Sequence, residues 1–278
     1  MFSTGRAFKM KSACIIPTKD RKHLLERAIK SVLEQRVMVD EVVIVDDGSK
    51  DTTAEFIKGK YPFIKLIQNK GLGPGRARNL GASATKADIL FFLDSDDQWL
   101  PNHVELLLPF FQQDYQVAYG ITKTEDITTN TSFLIPEPEK GVQGHCFNQM
   151  AHWCHIVPSG LAVTKHAFEK VDGFPSMTIG EDWIFLLKLA KEFEFGFCNE
   201  IITLRCLHEK SLSFNSSWKK GELLSLIMEV EKLVLSCINS KPKIVNNISK
   251  MKKLVEENSC NWNTIQDWYL AAKERGLL

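Results

Sequence analysis

Over its first hundred residues the chain alternates short apolar runs with stretches that are apolar on one side only. Cys14-Ile15-Ile16-Pro17 has no polar break, the mark of a strand buried on both faces. The next stretch places Leu24, Leu25, Ala28, Ile29, Val32 and Leu33 on one helical face and Lys22, Glu26, Arg27 and Lys30 on the other. The same alternation predicts strands over 41–45, 63–67 and 87–93, and helices over 51–60, over 76–84 and from near Pro101. Strands and helices in this rhythm predict an α/β fold, a mostly parallel sheet flanked by helices.

Regularity then fades. Residues 122–158 are polar and interrupted by Pro136, Pro138, Gly141 and Gly144, so they read as a long functional or mobile loop. A strand is expected over 160–163, a mostly apolar helix over 181–193 and a strand over 201–207. From about Trp218 the pattern changes to long amphipathic helix, clearest over 223–235. This divides the chain into a tail (1–10), an α/β domain (11–215) and a C-terminal helical extension (216–278).

Composition narrows the class. The net charge of +1 gives no global field for nucleic acid. No run approaches the ~18 apolar residues of a membrane span. The opening MFSTGRAFKMKS lacks an apolar core and makes a poor secretory signal; a disordered tail is expected, with Met10 as an alternative start. Seven scattered cysteines without a C-x-x-C pair favour a reducing cytoplasm.

The chemistry lies where predicted strands end. One runs into Asp46-Asp47-Gly48-Ser49, another into Asp94-Ser95-Asp96-Asp97, and Glu181-Asp182-Trp183 opens a later helix. Carboxylates at the carboxyl ends of parallel strands face the crevice where such sheets bind ligands. So many acids call for a cation, and hard divalent metals prefer oxygen. Alternation points Asp94 and Asp96 to one side, with Asp97 left to cap the helix that follows. Each motif also has a plain reading: turn residues for Asp46–Ser49, turn and cap residues for 94–97, and macrodipole partners for Glu181-Asp182, whose sharper reading is a general base with Trp183 as apolar wall.

Asn69-x-Gly71-x-Gly73-Pro74-Gly75-Arg76-Ala77-Arg78-Asn79-x-Gly81 imitates a dinucleotide fingerprint, but puts Arg76 or Arg78 where the third glycine belongs. Its amides and arginines suit a nucleotide's phosphates, or a plain helix cap. His208, after the strand at 201–207, is either structural or a metal ligand. His145, Cys146, His152, Cys154 and His155 lack the paired spacing of structural zinc.

In order, these motifs resemble the family-2 glycosyltransferases of the GT-A fold. Ile15-Ile16-Pro17-Thr18-Lys19-Asp20-Arg21 resembles the family's I-I-P-T-Y-N-R, and Val45-Asp46-Asp47-Gly48-Ser49-x-Asp51-x-Thr53 its V-D-D-G-S-x-D-x-T. Gly75-Arg76-Ala77-Arg78-Asn79-x-Gly81 is similar to G-x-A-R-N-x-G, residues 93–97 to its D-x-D, and Glu181-Asp182 to its later acidic pair. The match spans about residues 11–213 and departs at Lys19-Asp20, where Tyr-Asn is usual.

The resemblance implies an inverting transfer from a nucleoside-diphosphate sugar, a UDP-sugar, to a glycan or lipid-linked acceptor in bacterial surface polysaccharide synthesis. It implies Asp182 as catalytic base, and Asp96 with His208 as ligands of Mn²⁺ or Mg²⁺. Pro17, Thr18, Asp20, Arg21, Asp46, Asp47, Gly75, Arg78, Asn79, Asp94, Ser95, Glu181 and Trp183 would line the donor and acceptor sites. A non-catalytic sugar-binding relative and a sugar-phosphate nucleotidyltransferase are the competing classes. A homo-oligomer is a further expectation, and so is weak peripheral membrane binding through the C-terminal lysines with Trp262, Trp268 and Tyr269; packing of that segment on the catalytic domain is the alternative.

Overall fold

A computed structural model describes residues 10–208, 211, 220–237 and 242–257. Expectations placed on the first nine residues, on Trp218 and Lys241, and on the Trp262/Trp268/Tyr269 segment lie outside these.

The alternating motif forms β1 (Ser12–Thr18), α1 (Lys22–Leu33), β2 (Glu41–Asp46), α2 (Thr53–Lys60), β3 (Lys65–Gln68), α3 (Pro74–Ser83) and β4 (Ile89–Phe92). Then follow β5 (Gln98–Trp99), α4 (His103–Gln112), β6 (Val117–Asp126), β7 (Thr131–Ile135), α5 (Phe147–His152), β8 (Leu161–Thr164), α6 (Lys165–Lys170), α7 (Glu181–Glu192) and β9 (Phe195–Leu207). The C-terminal helices are α8 (Lys220–Leu235) and α9 (Pro242–Glu257).

One nine-stranded sheet runs in the order β3-β2-β1-β4-β8-β6-β9-β5, with β7 beside β6. Strands β1, β2, β3, β4, β6 and β9 point one way. Strands β5, β7 and β8 oppose them. The α/β sheet is thus mixed, with its parallel carboxyl ends along one edge.

Alternation along β1 and β4 sorts side chains between two cores. Ala13, Ile15, Leu90 and Phe92 face the layer containing α5, α6 and α7; Cys14, Ile16, Ile89 and Phe91 face α1, α2 and α4. The α8 and α9 side chains Leu226, Val230, Ile248 and Leu254 belong to the first of these cores. Helix α8 therefore backs α7, and α9 packs against α5 and α8. Among the described residues no helix is long and apolar enough to cross a membrane.

Three expectations need correction. Residues 122–158 are not one irregular loop: they complete β6, pair it with β7 and form α5. The pattern hid this because the inward residues of β6 there are polar, with Thr122, Thr124 and Asp126 all buried. The short β5 comes between residue 97 and α4, so Asp97 caps no helix. Strand β9 begins at Phe195, well before 201, its early part broken by the polar pair Asn199-Glu200 and an irregular register against β6.

Candidate active site at the carboxyl ends of the strands

The first acidic turn holds three loops together. Asp47 N–H donates to the Thr18 carbonyl at 2.8 Å, carrying the β1–β2 pairing one residue past the end of β2. Asp46 Oδ1 accepts the Ser49 N–H at 2.9 Å. The Asp47 carboxylate accepts Asn69 Nδ2 at 2.7 Å and the N–H groups of Leu72 at 3.0 Å and Gly73 at 2.8 Å. Gly48 has φ +83°, and a Cβ there would stand 3.2 Å from the Gly71 nitrogen, so the turn needs glycine. Asp20, at φ 52°, donates its N–H to Ser49 Oγ and accepts the Lys50 N–H at 2.6 Å. Asp20 thus knits loops together here. Pro17 and Thr18 end β1 beside this turn; the Thr18 hydroxyl is buried without a protein hydrogen bond, as an orphaned group lining a ligand pocket would be.

The second acidic turn meets cations instead. Arg78, on α3, is buried; Nη2 reaches Asp94 Oδ1 at 2.5 Å and Nη1 reaches Glu181 Oε1 at 3.2 Å. Its guanidinium lies 5.1 Å from the Phe174 ring, which stacks on Phe185 at 4.1 Å. Burial works against the charge of Arg78, but Asp94, Glu181 and Asp182 more than reverse that, so it stays protonated. Arg21 Nη1 reaches Asp96 Oδ2 at 2.6 Å, and His208 Nε2 lies 3.4 Å from the same oxygen. Ser95 is buried between the two acids.

Below this turn Ser159 accepts the Asp94 N–H at 3.1 Å and donates to Asp97 Oδ2 at 2.5 Å. Burial, then Asp96 and Asp94, push the Asp97 carboxyl well above its usual range.

The third acidic pair opens α7 after Gly180, a left-handed residue at φ +69°. Glu181 is pushed up to about 7, first by burial and then by Asp182, with Arg78 opposing. Asp182 is raised by burial, against Arg78 and the Trp183 N–H, which donates to it at 2.8 Å. Among the described residues Asp182 has no arginine within ion-pair distance, unlike Glu181. Carboxylates shifted upward by burial suit proton acceptance near neutrality.

The structure therefore gathers Arg21, Arg78, Asp94, Ser95, Asp96, Glu181, Asp182 and His208 on one edge. Gly75 is there for its size, since a Cβ would sit 2.9 Å from Glu181 Cγ. Asn79 instead clamps α3 to the loop between α6 and α7 through both backbone groups of Phe174, at 2.8 and 2.9 Å. Trp183 is core rather than cleft wall: it is buried, its indole N–H donates to the Met150 carbonyl, and Trp153 packs 5.5 Å away. Of the zinc-like cluster, Cys146 is buried in the core while His145 pairs with Glu194 at the surface, 2.9 Å apart.

Sequence reasoning missed Ser159, within an unremarkable Pro-Ser-Gly turn, and Arg205, whose charge lowers the pKa of both Asp97 and Asp182. Arg205 shared a face of the expected 201–207 strand with Thr203, and that alternation was the one signal available.

Asp96 and His208 fit the demands of Mg²⁺ or Mn²⁺. Such ions bind through one or two protein groups and complete their shell with phosphate oxygens and water. Among the described residues no cluster of three or more His, Cys, Asp or Glu groups could hold a metal, so phosphate would supply the rest.

The family described as glycosyl transferase family 2 matches residues 13–171. An uncharacterized glycosyltransferase of Rickettsia conorii is 30% identical over 189 residues, covering 67% of this chain and 31% of that protein. The chondroitin synthase of Escherichia coli is 28% identical over 202 residues, covering 71% and 29%. The chain thus spans less than a third of either relative. In structure, S. aureus TarS (residues 1–349, in complex with UDP-GlcNAc) matches with a TM-score of 0.70 at 17% identity, covering 89% of this chain and 72% of that one. The latter likeness is one of fold.

Proposed function

The chain belongs to glycosyl transferase family 2, and on that premise we propose that it transfers a sugar from a UDP-sugar to a hydroxyl of a glycan or lipid-linked acceptor, with inversion, in bacterial surface polysaccharide synthesis. One observation carries the reading. Two carboxylates of a D-x-D turn, each met by its own arginine, stand beside a half-buried acidic pair at the mouth of the sheet. The polysaccharide synthase among the relatives and the UDP-GlcNAc held by TarS support the donor and product class.

Each residue then has a task. Thr18 and Asp47 line the base pocket, where a nucleobase N–H would share the Asp47 carboxylate with the 69–73 loop. Asp96 and His208 hold Mn²⁺ or Mg²⁺, which when bound would neutralise the diphosphate and stabilise the leaving nucleotide. Arg78 keeps Asp94 and Glu181 at fixed distance and adds positive charge beside the departing phosphates. Asp182 accepts the proton of the acceptor hydroxyl while that oxygen bonds to the anomeric carbon from the face opposite the diphosphate. The C–O bond to the diphosphate breaks with its electron pair leaving on UDP. One protein carboxylate suffices, because the diphosphate needs no acid to depart.

The reading extends to a cytoplasmic enzyme whose exposed Lys243 and Lys250 on α9 touch an anionic membrane carrying the acceptor. Thermal unfolding with a panel of sugar-nucleotides, with and without Mn²⁺, tests the central proposal. A UDP-sugar is expected to raise the melting temperature only when the metal is present. Absence of stabilisation by every sugar-nucleotide would refute it.

A further inference from the structure

The two arginines that meet the D-x-D turn are held very differently. Arg78 is sunk among Asp94, Glu181 and the Phe174 ring, with 4% of its side chain exposed. Releasing it would leave two part-buried carboxylates without their counter-charge. Arg21 has 20% of its side chain exposed and lies at the start of α1. Its carbonyl is anchored by the N–H groups of Leu24 and Leu25, both at 2.9 Å, and Asp20 ties the preceding loop to residues 49–50. The backbone at Arg21 is thus anchored independently of its guanidinium, which is partly exposed where that of Arg78 is sunk.

That guanidinium occupies Asp96 Oδ2, the oxygen that also lies nearest His208. A divalent cation and Arg21 therefore compete for one carboxylate oxygen. A cation arriving alone must displace a guanidinium and then sit beside an uncompensated positive charge. A cation arriving with a diphosphate brings the anion that the displaced guanidinium can meet.

Resting on the donor-site reading above, we propose that Arg21 holds Asp96 until nucleotide arrives, so that divalent cation and nucleoside diphosphate each tighten the binding of the other. Arg21 is on this view a positioning residue that makes occupancy of the site cooperative. By linkage the coupling is mutual: the factor by which the diphosphate tightens metal binding equals the factor by which metal tightens diphosphate binding.

The test is Mn²⁺ binding by the full chain, read from the electron paramagnetic resonance of free Mn²⁺, with and without UDP. In the wild type, UDP should tighten Mn²⁺ binding by roughly tenfold or more. In Arg21→Gln, Mn²⁺ alone should bind about tenfold tighter than to wild type, and UDP should tighten it by a correspondingly smaller factor, the part that remains coming from phosphate on the metal itself. Arg21→Lys, which keeps the charge, should retain most of the coupling. Unchanged melting temperatures for both variants would assign these differences to the site. Unaltered or weaker Mn²⁺ binding by Arg21→Gln without UDP, with the coupling intact, overturns this inference and leaves the donor site standing. If wild type binds no Mn²⁺ even with UDP, the donor-site reading fails and the inference with it.

Discussion

The two acidic turns flank the same strand and look alike in sequence, yet they use their charge in opposite ways. The Asp46-Asp47 turn, on β2, gives its carboxylates to neutral N–H donors and becomes a rigid wall. The Asp94–Asp97 turn, after β4, meets two arginines and a histidine. Neutral hydrogen bonds fix shape, while ion pairs at a part-open edge store charge that a ligand can take over. Adjacent carboxylates in a sequence therefore do not by themselves mark a metal site; the partners opposite them decide.

Substitutions can break this comparison from its strongest side. Asp96→Asn keeps size and removes charge, so transfer should be abolished and metal-dependent binding of the nucleoside diphosphate weakened, with folding intact. Turnover and calorimetry on one preparation check this, and wild-type values would dissolve the distinction between the turns. Asp182→Asn should leave sugar-nucleotide affinity in place and lower kcat by ~10²-fold or more, since the base acts in the chemical step. Equal losses in binding and turnover would make Asp182 a helix-start acid only.

Asp47→Ala tests the rigid side. It strips two backbone N–H groups and an amide of their acceptor, so stability should fall by about 2 kcal/mol, a few degrees in melting temperature. A variant as stable as wild type would show that the 69–73 loop holds itself. The smallest effect concerns protons. With Glu181 pushed up to about 7, the pair should give activity an acidic limb near neutrality, rising with pH as the base deprotonates. Glu181→Gln removes a negative neighbour of Asp182, so that limb should move to lower pH; a shift upward, or none, would uncouple the two acids.

Much of this was legible because the motifs sit on regular elements. Val42–Val45 and the run ending at Leu93 are apolar strands whose ends could be counted, so Asp46, Asp47, Asp94 and Asp96 could be placed along one edge. What escaped notice depends on contacts between distant segments. Ser159 reaches Asp97 across 62 positions, and Arg78 joins Asp94 to a glutamate 103 positions away. Trp183 looked like a cleft wall because it follows two acids, but one step along a helix is a turn of about 100°, enough to carry it from cleft to core. The buried polar face of β6 inverted the usual code, and so the strand read as a loop.

Gly180 and Leu226 carry a consequence for how such enzymes diversify. A Cβ on Gly180 would approach Leu226 to 2.6 Å, so the residue that starts α7 is in tight contact with α8. The family match ends at residue 171, before either helix. Recombination at that boundary would thus separate the Asp46–Asp47 and Asp94–Asp97 turns from Glu181 and Asp182. Exchanging α7 alone would set a foreign helix against Leu226. The two helices are expected to be inherited as a block.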